Sequence, residues 1–320
     1  PVDLYRLFCG AFIVTSDSVK SGSILITGGT GFIGRHLCDY LLGQGYQLWV
    51  LSRNPIAARK LLNENVLVVG SLDELSAVDF SAVINLAGES LASSRWSNKA
   101  KQKFRRSRVD FTNNLFDFFV RIGRFPKILL SASAVGFYGN CGDRLVDELA
   151  HAGNDFAAHL CSDWEAAARR FETYGVRVCR IRIGIVLEGD GGALKQMLPA
   201  FRLGLGGRMG AGEHYMPWIH RHDLLRLMIF LLQHECVSGA INGVAPESVT
   251  NRQFTALLAQ CLHRPALLPM PEFVLRLLFG EMSDALLLSS QRVMPTAALS
   301  AGFKFEYSHL QQAFTAIFNK

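Results

Sequence analysis

The chain has 320 residues, which is long enough for one large hydrophobic core or for two lobes. Hydrophobic residues make up 49% of the sequence and charged residues 19%, which is ordinary for a globular enzyme. The formal net charge of +6 suits an anionic small-molecule ligand, whereas no run of Lys and Arg is dense enough to indicate a nucleic-acid partner. The densest run, KAKQKFRRSR at residues 99–108, is interpreted as the solvated face of a helix, from which one side chain could reach a phosphate.

Cysteine and histidine spacing argues against a disulfide framework and against a metal site. The seven cysteines stand singly, without a C-x-x-C pair, so we expect reduced thiols in a cytoplasmic protein. His220 and His222 lie two residues apart and would not share a helix face, so no metal is predicted. The apolar run LFCGAFIV at 7–14 is too short to cross a bilayer, so we expect no membrane partner. Residues 1–22 are interpreted as an N-terminal extension, or a leader left from protein production, outside the fold.

From Ser23 onward, short apolar segments alternate with helical segments. The predicted strands are SILITGG, YQLWVLSR, NVLVVG, AVINLAGE, KILLSASA and VRVCRIRIGIVL. Strands that are apolar almost throughout, and that are separated by helices, are typical of a parallel sheet covered on both faces. The sequence therefore predicts an α/β fold with a doubly wound, Rossmann-type parallel sheet over residues 23–245.

The alternation changes after residue 190, where the sequence becomes rich in glycine. Two helical segments at 250–262 and 271–290, the short strand FKFEY and a last helix cannot continue the sheet in simple alternation. Residues 246–320 are therefore predicted to form a smaller C-terminal α/β lobe. Because open α/β sheets bind ligands at the carboxyl ends of their strands, this lobe is expected to cap the substrate at that edge.

The segment ITGGTGFIGRHL, residues 26–37, places three glycines between the first strand and the first helix. Gly28 allows a tight turn, Gly31 lets the backbone approach a pyrophosphate, and Gly34 lets the helix pack on the strand. The helix N-terminus adds N–H donors and a positive dipole for the phosphates. The predicted cofactor-binding residues of this turn are Gly28, Thr30, Gly31, Phe32, Ile33 and Gly34.

The end of the second strand indicates which nucleotide binds. An NAD site has an Asp or Glu there for the ribose hydroxyls, but the sequence reads VLSRN, with Ser52 and Arg53 and no acid next to them. Arg53 can bind a 2′-phosphate through its planar guanidinium, and Ser52 can donate to the same oxygens. The sequence therefore predicts NADP(H) as the cofactor; the alternative is that Arg53 is a solvated loop residue.

In its strand–turn–helix context, TGGTGFIG resembles the extended short-chain dehydrogenase/reductases, the NAD-dependent epimerase/dehydratase superfamily. Later motifs are similar to one subgroup, the epimerase family proteins, whose C-terminal domain has no assigned function. These motifs are VINLAGE (83–89), RW (95–96), SR (107–108), SASAVGFYG (131–139), WEAAA (164–168), WIH (218–220) and NGVAPESVTN (242–251). The resemblance extends from about residue 24 to the end of the chain.

The resemblance implies roles for residues at the matching positions. Leu86, Ala87 and Gly88 should line the adenosine side of the cofactor, where small residues permit a close approach. Arg108 should reach the cofactor phosphates, unless it is one more surface cation. Val186 should lie near the nicotinamide.

The sequence departs from the family in its catalytic residues. Active relatives use a Tyr, whose pKa is lowered by a Lys four residues later, to exchange a proton during hydride transfer. These positions fall near Ala158 and Ser162, neither of which can exchange a proton. Ser133, with Ser131 as the alternative, matches the serine that orients the substrate, although a serine at a strand end is as often a turn residue. Tyr138 is the first predicted substitute for the missing pair and His214 the next; the alternative for Tyr138 is a packed aromatic. Further candidates are Glu89, Arg95, Cys161 and His220.

Two functions are compatible with these residues. The first is an NADP(H)-dependent oxidoreductase or epimerase-like enzyme that acts on a small polar or nucleotide-linked substrate with a non-standard acid/base group. The second is a non-catalytic NADP(H)-binding protein that regulates a partner in redox or cell-division control. The glycine-rich segment and the second lobe would together close a substrate cleft, which favours the enzyme. The oligomeric state, monomer or homodimer, stays open.

Overall fold

The computed structural model describes residues 22–92 and 95–318. Its strands are β1 Ser23–Thr27, β2 Gln47–Leu51, β3 Leu67–Val69, β4 Phe80–Asn85, β5 Ile128–Ala134, β6 Leu145–Val146, β7 Arg177–Ile183, β8 Ile185–Leu187, β9 Tyr215–Met216, β10 Trp218–His220, β11 Gly239–Gly243, β12 Val249–Thr250 and β13 Arg292–Val293. Seven of them form one parallel sheet in the order β11-β7-β5-β4-β1-β2-β3, which confirms the predicted doubly wound sheet. The interpretation of residues 1–22 falls, except for Gly22, outside the described residues.

Helices cover both faces of this sheet. The α-helices are α1 Gly34–Gly43, α2 Pro55–Leu61, α3 Asn98–Arg105, α4 Phe111–Ile122, α5 Phe156–Arg169, α6 Gly192–Arg202, α7 Arg221–Gln233, α8 Asn251–Leu262, α9 Glu272–Phe279, α10 Thr296–Ser300 and α11 Leu310–Phe318. Successive side chains of β1 point to opposite faces: Ile24 and Ile26 pack with α1 and α7, and Leu25 packs with α4 and α5. Burial on both faces explains why the strands are apolar almost throughout.

Single residues set the ends of two helices. The Asp155 carboxylate accepts a hydrogen bond from the Ala158 N–H at 2.8 Å and begins α5. Gly123, with φ of +66°, ends α4 in the left-handed conformation that glycine adopts without strain. A π-turn, Arg106–Asp110, joins α3 to α4. It adds a residue to the helical path and changes which side chains face the sheet edge.

The second lobe is built from two separated stretches of the chain. Leu198 of α6 shares a buried core with Phe254 of α8 and Phe314 of α11. Strand β9 pairs with β12 across the same lobe. The apolar face of α6, which precedes residue 246, therefore packs with helices that follow it, and the predicted boundary at residue 246 stays a prediction.

Two further features bear on possible partners. No helix in the described ranges is long and apolar enough to cross a membrane. Within those ranges, no cluster of His, Cys, Asp and Glu could hold a metal ion. The His220 ring lies 4.0 Å from the Tyr307 ring, and His222 pairs with Glu306 at 3.2 Å, so both histidines contact the C-terminal segment.

Candidate functional site

The turn between β1 and α1 depends on glycine at two positions. Gly28 has a φ of +71°, and a Cβ there would lie 2.5 Å from the Leu86 carbonyl oxygen. A Cβ at Gly34 would lie 2.3 Å from the Gly28 carbonyl oxygen. Any side chain would therefore push the turn away from the end of β4 and from α1. The tight turn leaves the N-terminal N–H groups of α1 at the sheet edge, where they suit an anion.

A cleft of about 770 Å³ lies beside this turn, at the carboxyl ends of β1, β2 and β4. Its volume falls in the range of small-molecule sites. Eight of the predicted cofactor residues line it: Gly28, Thr30, Gly31, Ser52, Arg53, Leu86, Ala87 and Gly88. The remaining lining includes Lys103, Arg106 and Glu89, none of which was predicted to bind the cofactor.

Glu89 places a carboxylate beside Arg53, although no acid is near Arg53 in the sequence. Arg53 Nη1 donates to Glu89 Oε1 at 3.0 Å, and Lys103 Nζ lies 3.4 Å from Oε2. These hydrogen bonds, that from Arg53 above all, hold the pKa of Glu89 below its usual range. Sequence reasoning missed the pair because Glu89 follows β4, whereas Arg53 follows β2; only the strand order brings them together.

The other five predicted cofactor residues do not line the cleft, namely Phe32, Ile33, Gly34, Arg108 and Val186. Phe32 lies under the segment that follows β8, where a Cβ at Gly191 would be 2.2 Å from its ring. Asp190 ties this segment down, since it accepts hydrogen bonds from Arg35 at 2.7 Å and from Arg221 at 2.6 Å. Val186 pairs with Ile219 in the β8–β10 ladder.

Arg108 is not a solvated surface cation. Its Nη2 donates to the Glu89 carbonyl oxygen at 2.8 Å, and its guanidinium lies 5.3 Å from the centre of the Trp164 ring. Burial lowers the pKa of Arg108. A Cβ at Gly88 would be 3.1 Å from Arg108 Cζ, so Arg108 packs directly on the turn that follows β4. It therefore holds residues 88 and 89 in place, and its predicted role at the cofactor phosphates stays a prediction.

Ser133 is part of a buried polar network. Its hydroxyl donates to Glu165 Oε1 at 2.8 Å. The same carboxylate accepts two hydrogen bonds from Arg182, from Nε at 2.8 Å and from Nη2 at 3.0 Å. All three residues are buried, so the carboxylate and the guanidinium are paired away from water. The proton of the Ser133 hydroxyl is thus engaged in a hydrogen bond within the protein.

Tyr138 belongs to the same network. Its hydroxyl donates to Asn242 Oδ1 at 2.7 Å and accepts from Arg182 Nη1 at 2.9 Å. Burial raises the pKa of Tyr138 to about 12, so the phenol stays neutral at physiological pH. These contacts favour a structural role for Tyr138, and its acid/base role stays a prediction.

The helix that would carry the family's catalytic pair offers no group that titrates near neutral pH at those positions. Ala158 is buried on α5. Cys161, one position before Ser162, is also buried, and burial raises the pKa of its thiol to about 12. Ser162 is half-buried, and Leu160, Trp164 and Ala157 of the same helix belong to a buried apolar cluster.

His214 lies in the second lobe, directly before β9, and does not line the cleft. Its Nε2 is buried and has no hydrogen-bond partner within the described residues. Burial lowers the pKa of His214, so the ring is neutral at pH 7. Its carbonyl oxygen accepts the Asn251 N–H at 2.9 Å, which fixes the backbone of the segment. Within the described residues, no hydrogen bond joins the His214 side chain to the network that contains Ser133 and Tyr138.

Comparison with known proteins extends these observations. Residues 24–242 match the NAD dependent epimerase/dehydratase family, and residues 270–317 match a domain of unknown function, DUF1731. An epimerase family protein of Mycobacterium leprae is 37% identical over 294 residues, which cover 92% of this chain and 95% of that protein. The epimerase family protein SDR39U1 of Mus musculus is 36% identical and covers 91% of this chain and 97% of its own length.

Solved structures agree with this assignment. The crystal structure of human epimerase family protein SDR39U1 (isoform2) with NADPH superposes with a TM-score of 0.83 at 32% identity, covering 93% of this chain and 99% of that one. A UDP-galactose 4-epimerase structure, with a TM-score of 0.71 at 15% identity over 92% of this chain and 97% of that one, shares the fold. With more than half of its length matched, the chain belongs to the NAD dependent epimerase/dehydratase family.

Proposed function

We propose that this protein binds NADP(H), with the adenosine half of the cofactor in the cleft beside the glycine turn. The observation that carries the proposal is the juxtaposition of Gly28, which admits no Cβ, with Ser52 and Arg53 at the end of β2 in one cleft. The human relative crystallised with NADPH supports the same cofactor. When bound, NADP(H) supplies a hydride donor or acceptor.

Each part of the cleft has a distinct task in this proposal. The backbone of Gly28–Gly34 holds the pyrophosphate at the N-terminus of α1, and Ser52 and Arg53 bind the 2′-phosphate. Residues 86–88 line the adenosine, and Arg108 keeps that turn in place through the Glu89 carbonyl. Val186 is proposed to lie towards the nicotinamide end.

What the protein does with the cofactor has two candidates. The hydroxyls of Ser133 and Tyr138 are already hydrogen-bonded, to Glu165 and to Asn242 and Arg182 respectively, which disfavours proton exchange with a substrate. The first candidate, a regulatory protein that senses NADP(H), is therefore favoured. An oxidoreductase or epimerase-like enzyme for a small polar or nucleotide-linked substrate is the second candidate. The Nε2 of His214 favours it, since this atom has no hydrogen-bond partner among the described residues and an imidazole nitrogen can exchange a proton.

Titration with NADPH and NADH tests the cofactor. Arg53→Ala should weaken NADPH binding on the order of tenfold to a hundredfold, the scale of a charged hydrogen bond, and leave NADH nearly unchanged. Arg105→Ala is the matched control, because Arg105 pairs with Asp163 on the exposed surface and does not line the cleft. Equal losses for both nucleotides would show that Arg53 does not bind the 2′-phosphate.

A screen of carbonyl compounds and nucleotide sugars for NADPH-linked turnover tests the role. The regulatory proposal expects no turnover with the wild-type chain. If turnover is found, His214→Gln should lower it on the order of a hundredfold while NADPH affinity is retained. Turnover that His214→Gln leaves intact would exclude His214 as the acid/base group.

A further inference from the structure

We infer that Glu89 is a specificity-determining residue of the cofactor cleft: it competes with the 2′-phosphate of NADPH for Arg53 and Lys103, and Arg106 completes the same subsite. The inference rests on the proposed NADP(H) function and adds three residues to it. It concerns how strongly the chain distinguishes NADPH from NADH.

The carboxylate is fixed, whereas its two cations are free to move. The Glu89 N–H donates to Ser107 Oγ at 3.1 Å, and the Glu89 carbonyl oxygen accepts from Arg108 at 2.8 Å, so both sides of its backbone are anchored. The side chain of Glu89 is 20% exposed, whereas those of Arg53 and Lys103 are 90% and 63% exposed. Arg53 and Lys103 can therefore turn from the carboxylate to a ligand without disturbing the fold.

The charged side chains that line the cleft match the charge of a phosphate monoester. Arg53, Lys103 and Arg106 line one cleft with Glu89, so three cations and one carboxylate leave a net charge of +2. A phosphate monoester carries about −1.5 to −2 at pH 7. Arg106 makes no ion pair within the described ranges, so it can bind the phosphate without breaking one.

Glu89 therefore acts on the two nucleotides differently. A 2′-phosphate must draw Arg53 and Lys103 away from the carboxylate and must lie near a like charge. The 2′-hydroxyl of NADH is neutral and needs neither cation. Exposed ion pairs are weak, so the penalty is modest: we expect Glu89 to lower NADPH affinity by about two- to fivefold and to leave NADH affinity unchanged.

Isothermal titration of the full chain with NADPH, NADH, adenosine 2′-monophosphate and adenosine 5′-monophosphate tests the inference. Glu89→Gln should tighten NADPH and the 2′-monophosphate by about two- to fivefold, and leave NADH and the 5′-monophosphate unchanged. Lys103→Ala and Arg106→Ala should each weaken NADPH and the 2′-monophosphate by about three- to tenfold. NADPH affinity should also fall more steeply with salt concentration in Glu89→Gln. Without the Glu89 carboxylate the cleft attracts the phosphate more strongly, and salt screens this attraction.

Two control variants match the tested ones. Glu213→Gln removes a carboxylate that pairs with Arg252 in the second lobe and is more exposed, at 63%, than Glu89, at 20%. Lys99→Ala removes an exposed cation from α3 that does not line the cleft. Neither control should change the affinity for any of the four nucleotides.

The outcomes separate this inference from the proposed function. If the wild-type chain binds neither NADPH nor NADH, both fail. If it prefers NADPH but Glu89→Gln has no effect, or weakens NADPH binding, the competition is refuted while NADP(H) binding stands. A loss of NADH affinity in Glu89→Gln would assign the carboxylate to the ribose hydroxyls and would likewise refute the competition.

Discussion

Replacing Tyr138 by phenylalanine removes one buried hydroxyl and tests whether that hydroxyl supports the fold or the chemistry. In the structure it donates to Asn242 and accepts from Arg182, and Asn242 is wholly buried. The phenylalanine ring fills the same space, so packing against Phe137 is preserved. The variant leaves the Asn242 Oδ1 atom without this donor and Arg182 Nη1 without this acceptor.

The expected cost follows from these two contacts. A buried polar group left without its partner costs about 1–3 kcal/mol, and hydrogen bonds to charged groups lie at the upper end of that range. We therefore expect Tyr138→Phe to lower the free energy of unfolding by about 2–3 kcal/mol. Urea denaturation measures this value. Tyr174→Phe is the matched control, since Tyr174 is half exposed, and it should change stability by less than about 0.5 kcal/mol.

The pH dependence of the free energy of unfolding provides a second test with the same variant. The folded protein holds the pKa of Tyr138 at about 12, whereas an unfolded tyrosine ionises near its ordinary value of 10. The folded state therefore retains a proton that the unfolded state loses, and the stability from this group is complete below pH 10 and declines as the pH rises to 12. Tyr138→Phe lacks this decline, so the difference in stability between wild type and variant should narrow over that interval.

One result would refute this reasoning. The refuting result is a Tyr138→Phe variant with unchanged stability and NADPH affinity but an NADPH-linked turnover reduced a hundredfold or more. The hydroxyl would then exchange a proton in catalysis, and its hydrogen bonds to Asn242 and Arg182 would not contribute to stability. A variant that is destabilised, yet binds NADPH with unchanged affinity, supports the structural role.

Three further predictions concern the turn, the network and the thiol. Gly28→Ala should abolish NADPH binding in a fluorescence titration, because its Cβ would meet the Leu86 carbonyl, whereas Gly43→Ala, which meets nothing within 4 Å, should leave affinity unchanged. Glu165→Gln should lower the free energy of unfolding in urea by about 3–5 kcal/mol, because it leaves a buried guanidinium without its charge partner; a loss below about 1 kcal/mol would contradict this. Cys161, buried with a pKa of about 12, should resist a thiol reagent in the native protein and react once urea unfolds it, as mass spectrometry can resolve.

The sheet and the glycine turn could be predicted because their signals are local. Apolar runs define buried parallel strands, and the spacing of Gly28, Gly31 and Gly34 defines a turn, whatever the rest of the chain does. The partners of Arg53 could not be predicted in this way. Glu89 reaches Arg53 only because β1 lies between β2 and β4 in the sheet. The sequence places Glu89 36 residues from Arg53 and gives no sign of that order.

The hydrogen-bond partners of Tyr138 could not be predicted from the sequence for a related reason. Its partners, Arg182 on β7 and Asn242 on β11, belong to strands that follow it by 44 and 104 residues. A tyrosine after a strand end is equally compatible with an exposed reactive phenol and with a buried hydrogen-bonded one. Only the pairing of β11 with β7 at the edge of the sheet decides between them, because that strand carries Asn242.

The π-turn between α3 and α4 makes this part of the chain sensitive to length. Phe104 before it and Thr112 after it are both buried, and Thr112 accepts a hydrogen bond from the Asn85 side chain at 2.9 Å. Removing one residue from Arg106–Asp110 would rotate the preceding helix by about 100° relative to α4. Either Phe104 or Arg108 would then leave its place. Insertions and deletions should therefore be rare among relatives at this turn, and lineages that change its length should also have changed the residues that pack on the turn after β4.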